Sequence, residues 1–205
     1  MEFTVDNEYI FENKELNSID YKNKKVIMVT AHRRENWGKG IENICIALKK
    51  IVEDNKDVEL IYLVHLNPIV KDVVYKYLGR EERVHLFPPL DTKETHNLMN
   101  KCFMVMTDSG GLQEEAPHLG KPVLVLRDVT ERPEAINAGT VKLVGTDVDE
   151  ILKQANLLIN NPEEYEKMKK AINPYGDGNA SCRIADAILY YYGFMEDRPE
   201  EFKLM

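Results

Sequence analysis

Two histidines closely follow apolar runs, at positions where a side chain could transfer a proton or bind an anion. His32 comes after the run at 26–29 and precedes two arginines, and His65 comes directly after the run at 58–64. Histidine titrates near neutral pH, so it can act as an acid, a base or a phosphate donor. The alternative is a structural, hydrogen-bonded histidine beside a salt-bridged turn, which is the commoner case for any single histidine.

A serine and two glycines, Ser109, Gly110 and Gly111, lie between the apolar run at 102–107 and a helical segment. Glycines at such a turn let a diphosphate approach the N–H groups at a helix N-terminus, and Ser109 adds a hydroxyl donor. Glu115, about one turn into the helix, could accept hydrogen bonds from ribose hydroxyls. The segment matches neither a Walker loop nor the GxGxxG pattern, so an ordinary glycine turn followed by dipole-complementing acidic residues stays open.

A fourth candidate loop spans residues 126–134 and contains Arg132 directly before Pro133. Proline favours the first position of a helix, and an arginine just ahead of it could reach a phosphate. The alternative for any one residue here is a surface network of arginines and glutamates.

These loops follow short apolar runs that lack polar alternation, which indicates strands covered on both faces. Helical segments separate the runs, and this order predicts a parallel sheet in a three-layer α/β fold of the Rossmann-like type. Ligands of such sheets bind outside the carboxyl ends of the strands, where the candidate loops must lie. The six predicted strands are residues 26–29, 58–64, 84–87, 102–107, 123–126 and 141–144.

Helix boundaries are marked by capping residues and prolines. Residues 1–24 are polar and lack a clear period, so we predict a leader or linker there and a Rossmann-like domain, including the C-terminal helix, over 25–205. The predicted boundary residues are Asn67 with Pro68, Asp91 with Glu94, Pro133, Thr146, and Asn161 with Pro162, and the last helix is predicted over about 179–192.

Composition excludes several classes of protein. The 205 residues carry a net charge of −8, which argues against general affinity for nucleic acid or for an anionic membrane surface. Cys45, Cys102 and Cys182 lack metal-binding spacing, so we predict buried free thiols and no metal site. The N-terminus lacks a signal-peptide pattern and no apolar run reaches membrane-spanning length, so a cytoplasmic protein is expected.

Five segments together resemble one family, the non-hydrolysing UDP-N-acetylglucosamine 2-epimerases. Their order and spacing match that family over roughly residues 25–190, and five motifs in register are far more specific than any one of them. The segments are Thr-Ala-His-Arg-Arg-Glu-Asn at 30–36, His-Leu-Asn-Pro at 65–68, Thr-Asp-Ser-Gly-Gly-Leu-Gln-Glu-Glu-Ala-Pro at 107–117, Leu-Arg-Asp-Val-Thr-Glu-Arg-Pro-Glu at 126–134 and Asn-Pro-Tyr-Gly-Asp-Gly at 173–178.

The resemblance implies the C-terminal, UDP-binding half of a GT-B-type enzyme that interconverts UDP-GlcNAc and UDP-ManNAc by eliminating and re-adding UDP, without a cofactor or metal. It implies that His32 assists the departure and return of UDP. It also implies a set of binding residues: Ser109, Gly110, Gly111 and Arg132 for the diphosphate, Glu115 for the ribose, Leu90 and Thr95 for the uracil, and Arg33 and His65 for a second, activating UDP-GlcNAc.

The sequence departs from the family in two respects. The carboxylates that move the C2 proton belong to a first domain absent from this chain, so a separate N-terminal partner domain is expected. Thr95 replaces the phenylalanine usually found beside the uracil. A non-catalytic UDP-sugar-binding module and the donor half of a glycosyltransferase stay open as alternatives.

The C-terminal segment adds an expectation about assembly. Its aromatic residues would normally pack on the first domain, so the chain should expose an apolar surface and form homo-oligomers. The residues concerned are Tyr190, Tyr191, Tyr192 and Phe194.

Overall fold

A computed structural model describes residues 4–202 and shows strands and helices in alternation. The strands are β1 (Lys25–Thr30), β2 (Val58–Leu63), β3 (Val84–Phe87), β4 (Met104–Thr107), β5 (Val123–Val125) and β6 (Val141–Leu143). The helices are α1 (Lys14–Ser18), α2 (Lys39–Asp54), α3 (Pro68–Leu78), α4 (Thr92–Lys101), α5 (Gly110–His118), α6 (Pro133–Ala138), α7 (Val148–Asn160), α8 (Pro162–Lys169) and α9 (Ala180–Tyr191), and a 3-10 turn spans Arg34–Asn36.

The six strands form one sheet in the order β3-β2-β1-β4-β5-β6, and every pairing is parallel. The sequence-based prediction of a Rossmann-like six-stranded parallel sheet is therefore confirmed. Strand order reverses between β1 and β4, and a gap opens there because the chain leaves these two strands toward opposite faces.

Both faces of the sheet are apolar, which explains why the strands lack polar alternation. Ile27 and Val29 of β1 face one core cluster, together with residues of α2, α3 and α7. Val26 and Met28 face the other, with residues of α4 and α5. These two cores hold the carboxyl ends of the strands, and hence the loops that follow them, in fixed positions.

Most predicted helix boundaries are confirmed. The side chains of Asn67, Asp91 and Asn161 accept hydrogen bonds from the first turns of α3, α4 and α8, and Pro133 opens α6. The boundary at Thr146 is wrong. Asp147 caps α7 instead, accepting from the N–H groups of the second and third helical residues.

The segment before β1 differs from the expected leader or linker in being folded onto the domain. It contains α1, and Phe11, Leu16 and Ile19 are buried in the core beside α4. Its few apolar residues do not repeat at a helical or strand period, so the sequence pattern did not reveal this packing. Whether residues 1–24 also link to another domain stays a prediction.

The cysteine prediction is confirmed for two residues and wrong for the third. Burial raises the pKa of the Cys45 and Cys102 thiols to about 12, as expected of inert core residues. Cys182 is exposed, because it lies on α9, which has no buried residue. No helix between residues 4 and 202 is both long and apolar enough to cross a membrane.

Candidate functional site

The loops that follow β1, β2, β3 and β4 meet at one edge of the sheet and enclose a cavity of about 220 Å³. The sheet itself brings them together, because parallel strands all end at the same edge. The lining residues are Thr30, His32, Leu63, His65, Pro89, Leu90, Thr95, Ser109 and Leu112. Five residues predicted for the site therefore share one cavity: His32, His65, Leu90, Thr95 and Ser109.

Ser109 occupies the N-cap position of α5, but its side chain does not cap the helix. The N–H groups of the first turn therefore lack a side-chain cap, and the helix dipole favours an anion at this end, where Gly110 is buried and Gly111 is exposed. A Cβ added to Gly110 or Gly111 would meet no atom closer than 3.7 Å. Neither glycine has a positive φ. The fold alone therefore does not demand glycine at these two positions.

Two arginines from different loops flank Gly110. Nη2 of Arg33 and Nη2 of Arg132 each lie 3.7 Å from the point where a Cβ of Gly110 would be. Arg132 is held there by Glu114, whose carboxylate accepts from Nε, and this pairing raises the pKa of the guanidinium. The arginine–glutamate pairing that stood as the alternative for this loop therefore exists, and it positions Arg132 beside the N-terminus of α5.

A buried carboxylate joins the loops that follow β1 and β4, the two strands between which the strand order reverses. Oδ2 of Asp108 accepts from the backbone N–H groups of His32 and Arg33, each at 2.8 Å, and from Nδ2 of Asn36 at 3.0 Å. Asn36 also donates to the carbonyl of Leu126, at 3.0 Å. The loops after β1, β4 and β5 are therefore fixed to one another through Asp108 and Asn36.

His32 and His65 stack with ring centroids 5.1 Å apart and an interplanar angle of 11°. Nδ1 of His32 lies 3.5 Å from Oδ1 of Asp108. Partial burial lowers the pKa of His32, and His65 and Arg33 add to this effect, while Asp108 opposes it. The net effect is a lowered pKa, which favours the neutral form of His32 in the free protein.

Glu115 reaches back along α5 toward Gly111. Its Oε1 lies 3.8 Å from the Cβ position of Gly111, and its Oε2 lies 3.5 Å from Nε2 of His96. The carboxylate is 40% exposed, so a ligand at the N-terminus of α5 can contact it. Leu90 and Thr95 lie on the β3 side of the cavity, with Pro89 and Leu112 completing an apolar wall.

Sequence reasoning missed Asp108, Asn36 and His96. Asp108 carried a usable signal, because a carboxylate directly after an apolar strand is placed at the ligand edge of the sheet. Asn36 and His96 carried no such signal, because their partners are distant in the sequence. The partners of Asn36 lie 72 or more residues away, and Glu115 lies 19 residues from His96.

The fold and this edge define a Rossmann-like α/β domain whose site combines a helix N-terminus, two guanidinium groups and an exposed carboxylate. Such a combination suits a phosphorylated nucleotide. Residues 4–189 match the family described as UDP-N-acetylglucosamine 2-epimerase. The chain belongs to this family.

Named relatives and solved structures agree with the family match. The UDP-N-acetylglucosamine 2-epimerase of Bacillus subtilis is 52% identical over 178 residues, which are 87% of this chain and 47% of that protein. The S. aureus MnaA-UDP co-structure has a TM-score of 0.92 and 45% identity, covering 99% of this chain and 55% of the other. The chain spans about half the length of the curated relatives it matches.

Proposed function

We propose that this chain is the C-terminal, UDP-binding half of a GT-B-type UDP-N-acetylglucosamine 2-epimerase. The observation that carries the proposal is the N-terminus of α5, where Gly110 lies between the guanidinium groups of Arg33 and Arg132. These groups supply positive charge from two separate loops, as a diphosphate requires. Relatives that share this fold have been solved with UDP and with UDP-GlcNAc.

The proposed reaction has two halves. A base removes the C2 proton as the C1–O bond breaks, which gives a glycal and UDP, with the bonding electrons departing on the diphosphate. C2 is then reprotonated on the other face and UDP adds back at C1. In this chain the α5 amides, Arg132 and protonated His32 stabilise the charge that grows on the leaving diphosphate. The proton-transferring carboxylates belong to the N-terminal half.

The remaining proposed contacts involve Leu90 and Thr95, which line the cavity, and Glu115, which lies beside Gly111. Glu115 accepts from the ribose hydroxyls, and the uracil lies against Leu90 and Thr95. Threonine at position 95 offers less apolar surface to the uracil than a phenylalanine would. Leu90 and the backbone therefore contribute more of the affinity for uracil. No cofactor or metal enters this scheme.

A neighbouring cavity suggests where an activating UDP-GlcNAc would bind. It measures about 480 Å³, includes Arg33 among its lining residues, and shares His32 and His65 with the first cavity. A second nucleotide sugar there would contact the same histidine pair. We propose Arg33 and His65 as its ligands, which makes Arg33 common to both diphosphates.

A chimera tests the proposed activity. The N-terminal half of the B. subtilis relative, fused ahead of this chain, should convert UDP-GlcNAc to UDP-ManNAc and incorporate solvent deuterium at C2, as measured by NMR. Ser109→Ala in the chimera should reduce the rate, and the intact B. subtilis protein is the control. A folded chimera that binds UDP but exchanges no C2 proton would favour the non-catalytic binding module.

A further inference from the structure

The buried polar side chains of α4 are directed at the segment before β1. Oε1 of Glu94 accepts from the N–H of Glu12 at 2.9 Å, so this carboxylate does not complete a reciprocal cap with Asp91. Asn97, fully buried, accepts from the N–H of Asp6 at 2.8 Å and donates to the carbonyl of Thr4 at 2.7 Å. Residues 4–12 are thereby fixed along α4.

His96 lies in the same row but contacts a further element. Its Nδ1 is 2.7 Å from Oγ1 of Thr4, and its Nε2 is 3.5 Å from Oε2 of Glu115. The ring is only 8% exposed, whereas Glu115 is open to the site. His96 therefore bridges the N-terminal segment and the carboxylate placed beside the ribose.

The contact with Glu115 determines where the ring proton lies, because a carboxylate can only accept whereas the Thr4 hydroxyl can donate or accept. A neutral ring with its proton on Nδ1 would turn a bare Nε2 lone pair toward the Glu115 carboxylate, which is repulsive. With the proton on Nε2, the ring donates toward Glu115 and Nδ1 accepts from the Thr4 hydroxyl, so both contacts are favourable. The 3.5 Å separation exceeds a usual hydrogen bond and can shorten when ligand binds.

We propose that His96 is a positioning residue that orients Glu115 for the ribose hydroxyls, and that the Thr4 hydroxyl holds the ring in place by donating to Nδ1. The inference rests on the proposed function, because it assumes that Glu115 receives the ribose. It adds a second role for the segment before β1, which then supports the nucleotide site as well as the core.

The test compares the affinities of UDP and 2′-deoxy-UDP in the full chain, by calorimetric titration. The ratio of the UDP affinity to the 2′-deoxy-UDP affinity, here called the discrimination ratio, reports on the ribose contact. One hydrogen bond to a carboxylate should give a ratio of roughly ten in the wild type. Glu115→Gln should reduce the ratio to about twofold.

Two variants of His96 separate positioning from anchoring. His96→Gln places its amide near the Nε2 position and keeps a donor toward Glu115, and it should retain most of the discrimination. His96→Asn places its amide near the Nδ1 position and keeps only the Thr4 contact, and it should lower the ratio about as far as Glu115→Gln. If His96 only anchored the N-terminal segment, His96→Asn would retain more of the discrimination than His96→Gln.

Thr4→Val provides a milder second variant, because it removes the hydroxyl without opening the core, and it should lower the ratio in part. Unchanged ratios in Thr4→Val and His96→Asn, or equal ratios in the two His96 variants, would overturn the inference while leaving UDP binding intact. Failure of the wild type to bind UDP would instead refute the proposed function.

Discussion

At the N-terminus of α5, the fold does not require the residues that are present, and the proposed ligand explains them. Gly110 and Gly111 lack positive φ values and have room for a methyl group, so the free protein does not require glycine at either position. Ser109 forgoes its capping bond. These features cost helix stability and leave amide donors without a side-chain cap, as expected where a diphosphate binds.

Gly110→Ala should therefore separate stability from binding. The fold should gain a few tenths to about 1 kcal/mol, since alanine has less backbone freedom to lose. UDP affinity should fall, because the methyl group occupies the approach to the amides between the two arginines. Thermal unfolding and titration with UDP measure the two effects, and undiminished UDP binding in the variant would refute the diphosphate site.

His32 should couple UDP binding to pH. Burial lowers its pKa in the free protein, and the incoming diphosphate should raise it, so binding takes up a proton. UDP affinity should then weaken as pH rises through the bound-state pKa. Calorimetry at pH 7.5 in buffers of different ionisation enthalpy measures the uptake.

His32→Gln should reduce this proton uptake, and His65→Gln serves as the comparison for the stacked neighbour. The free nucleotide is the same in all three titrations, so its ionisation in solution cancels in the difference. Equal proton uptake in the wild type and in His32→Gln would show that His32 stays neutral beside the ligand.

At the level of elements, the site depends on how three loops are joined. Oδ2 of the buried Asp108 accepts three hydrogen bonds from the loop after β1, and Asn36 extends the junction to the loop after β5. Removing the carboxylate takes the acceptor from the part-buried N–H groups of His32 and Arg33, while Asn36 keeps its bond to Leu126. The cost of such donors is about 1–3 kcal/mol.

Asp108→Ala should accordingly lower the free energy of unfolding by roughly 1–3 kcal/mol and weaken UDP binding, because His32 and Arg33 lose their anchor. Urea denaturation measures the first effect. Asp72→Ala, at an exposed position on α3, is the matched control and should change neither quantity. Wild-type stability in Asp108→Ala would contradict the junction.

Structural features that depend on residues close in sequence could be predicted, whereas those that depend on residues distant in sequence could not. Strands buried on both faces and caps such as Asn67 and Asp91 are set by neighbouring residues, so they were predicted correctly. The Asp108 junction and the packing of Phe11 and Leu16 arise from contacts across the chain. At Thr146 two adjacent capping residues compete, and the pattern does not decide between them.

At the scale of the whole molecule, α9 packs little against the rest of the described domain. No residue of α9 is buried, and Tyr191 and Phe194 are each at least 80% exposed. Apolar surface of this kind normally marks an interface. We propose that the N-terminal half covers it, and that copies of this chain associate through it otherwise.

Self-association is the corresponding prediction. Sedimentation velocity over a range of concentrations should show oligomers of the chain, and Tyr191→Ser combined with Phe194→Ser should shift them toward monomer without changing UDP affinity. A wild-type chain that stays strictly monomeric at high concentration would contradict this role for the surface.

Calorimetric titration of the chain with UDP tests the central claim most directly. The wild type should bind, and Ser109→Ala and Glu115→Ala should each weaken binding by several-fold to about tenfold, while Ser181→Ala and Glu53→Ala should not. A folded wild-type chain that does not bind UDP, or site variants that bind as well as the wild type, would contradict a nucleotide site at the N-terminus of α5.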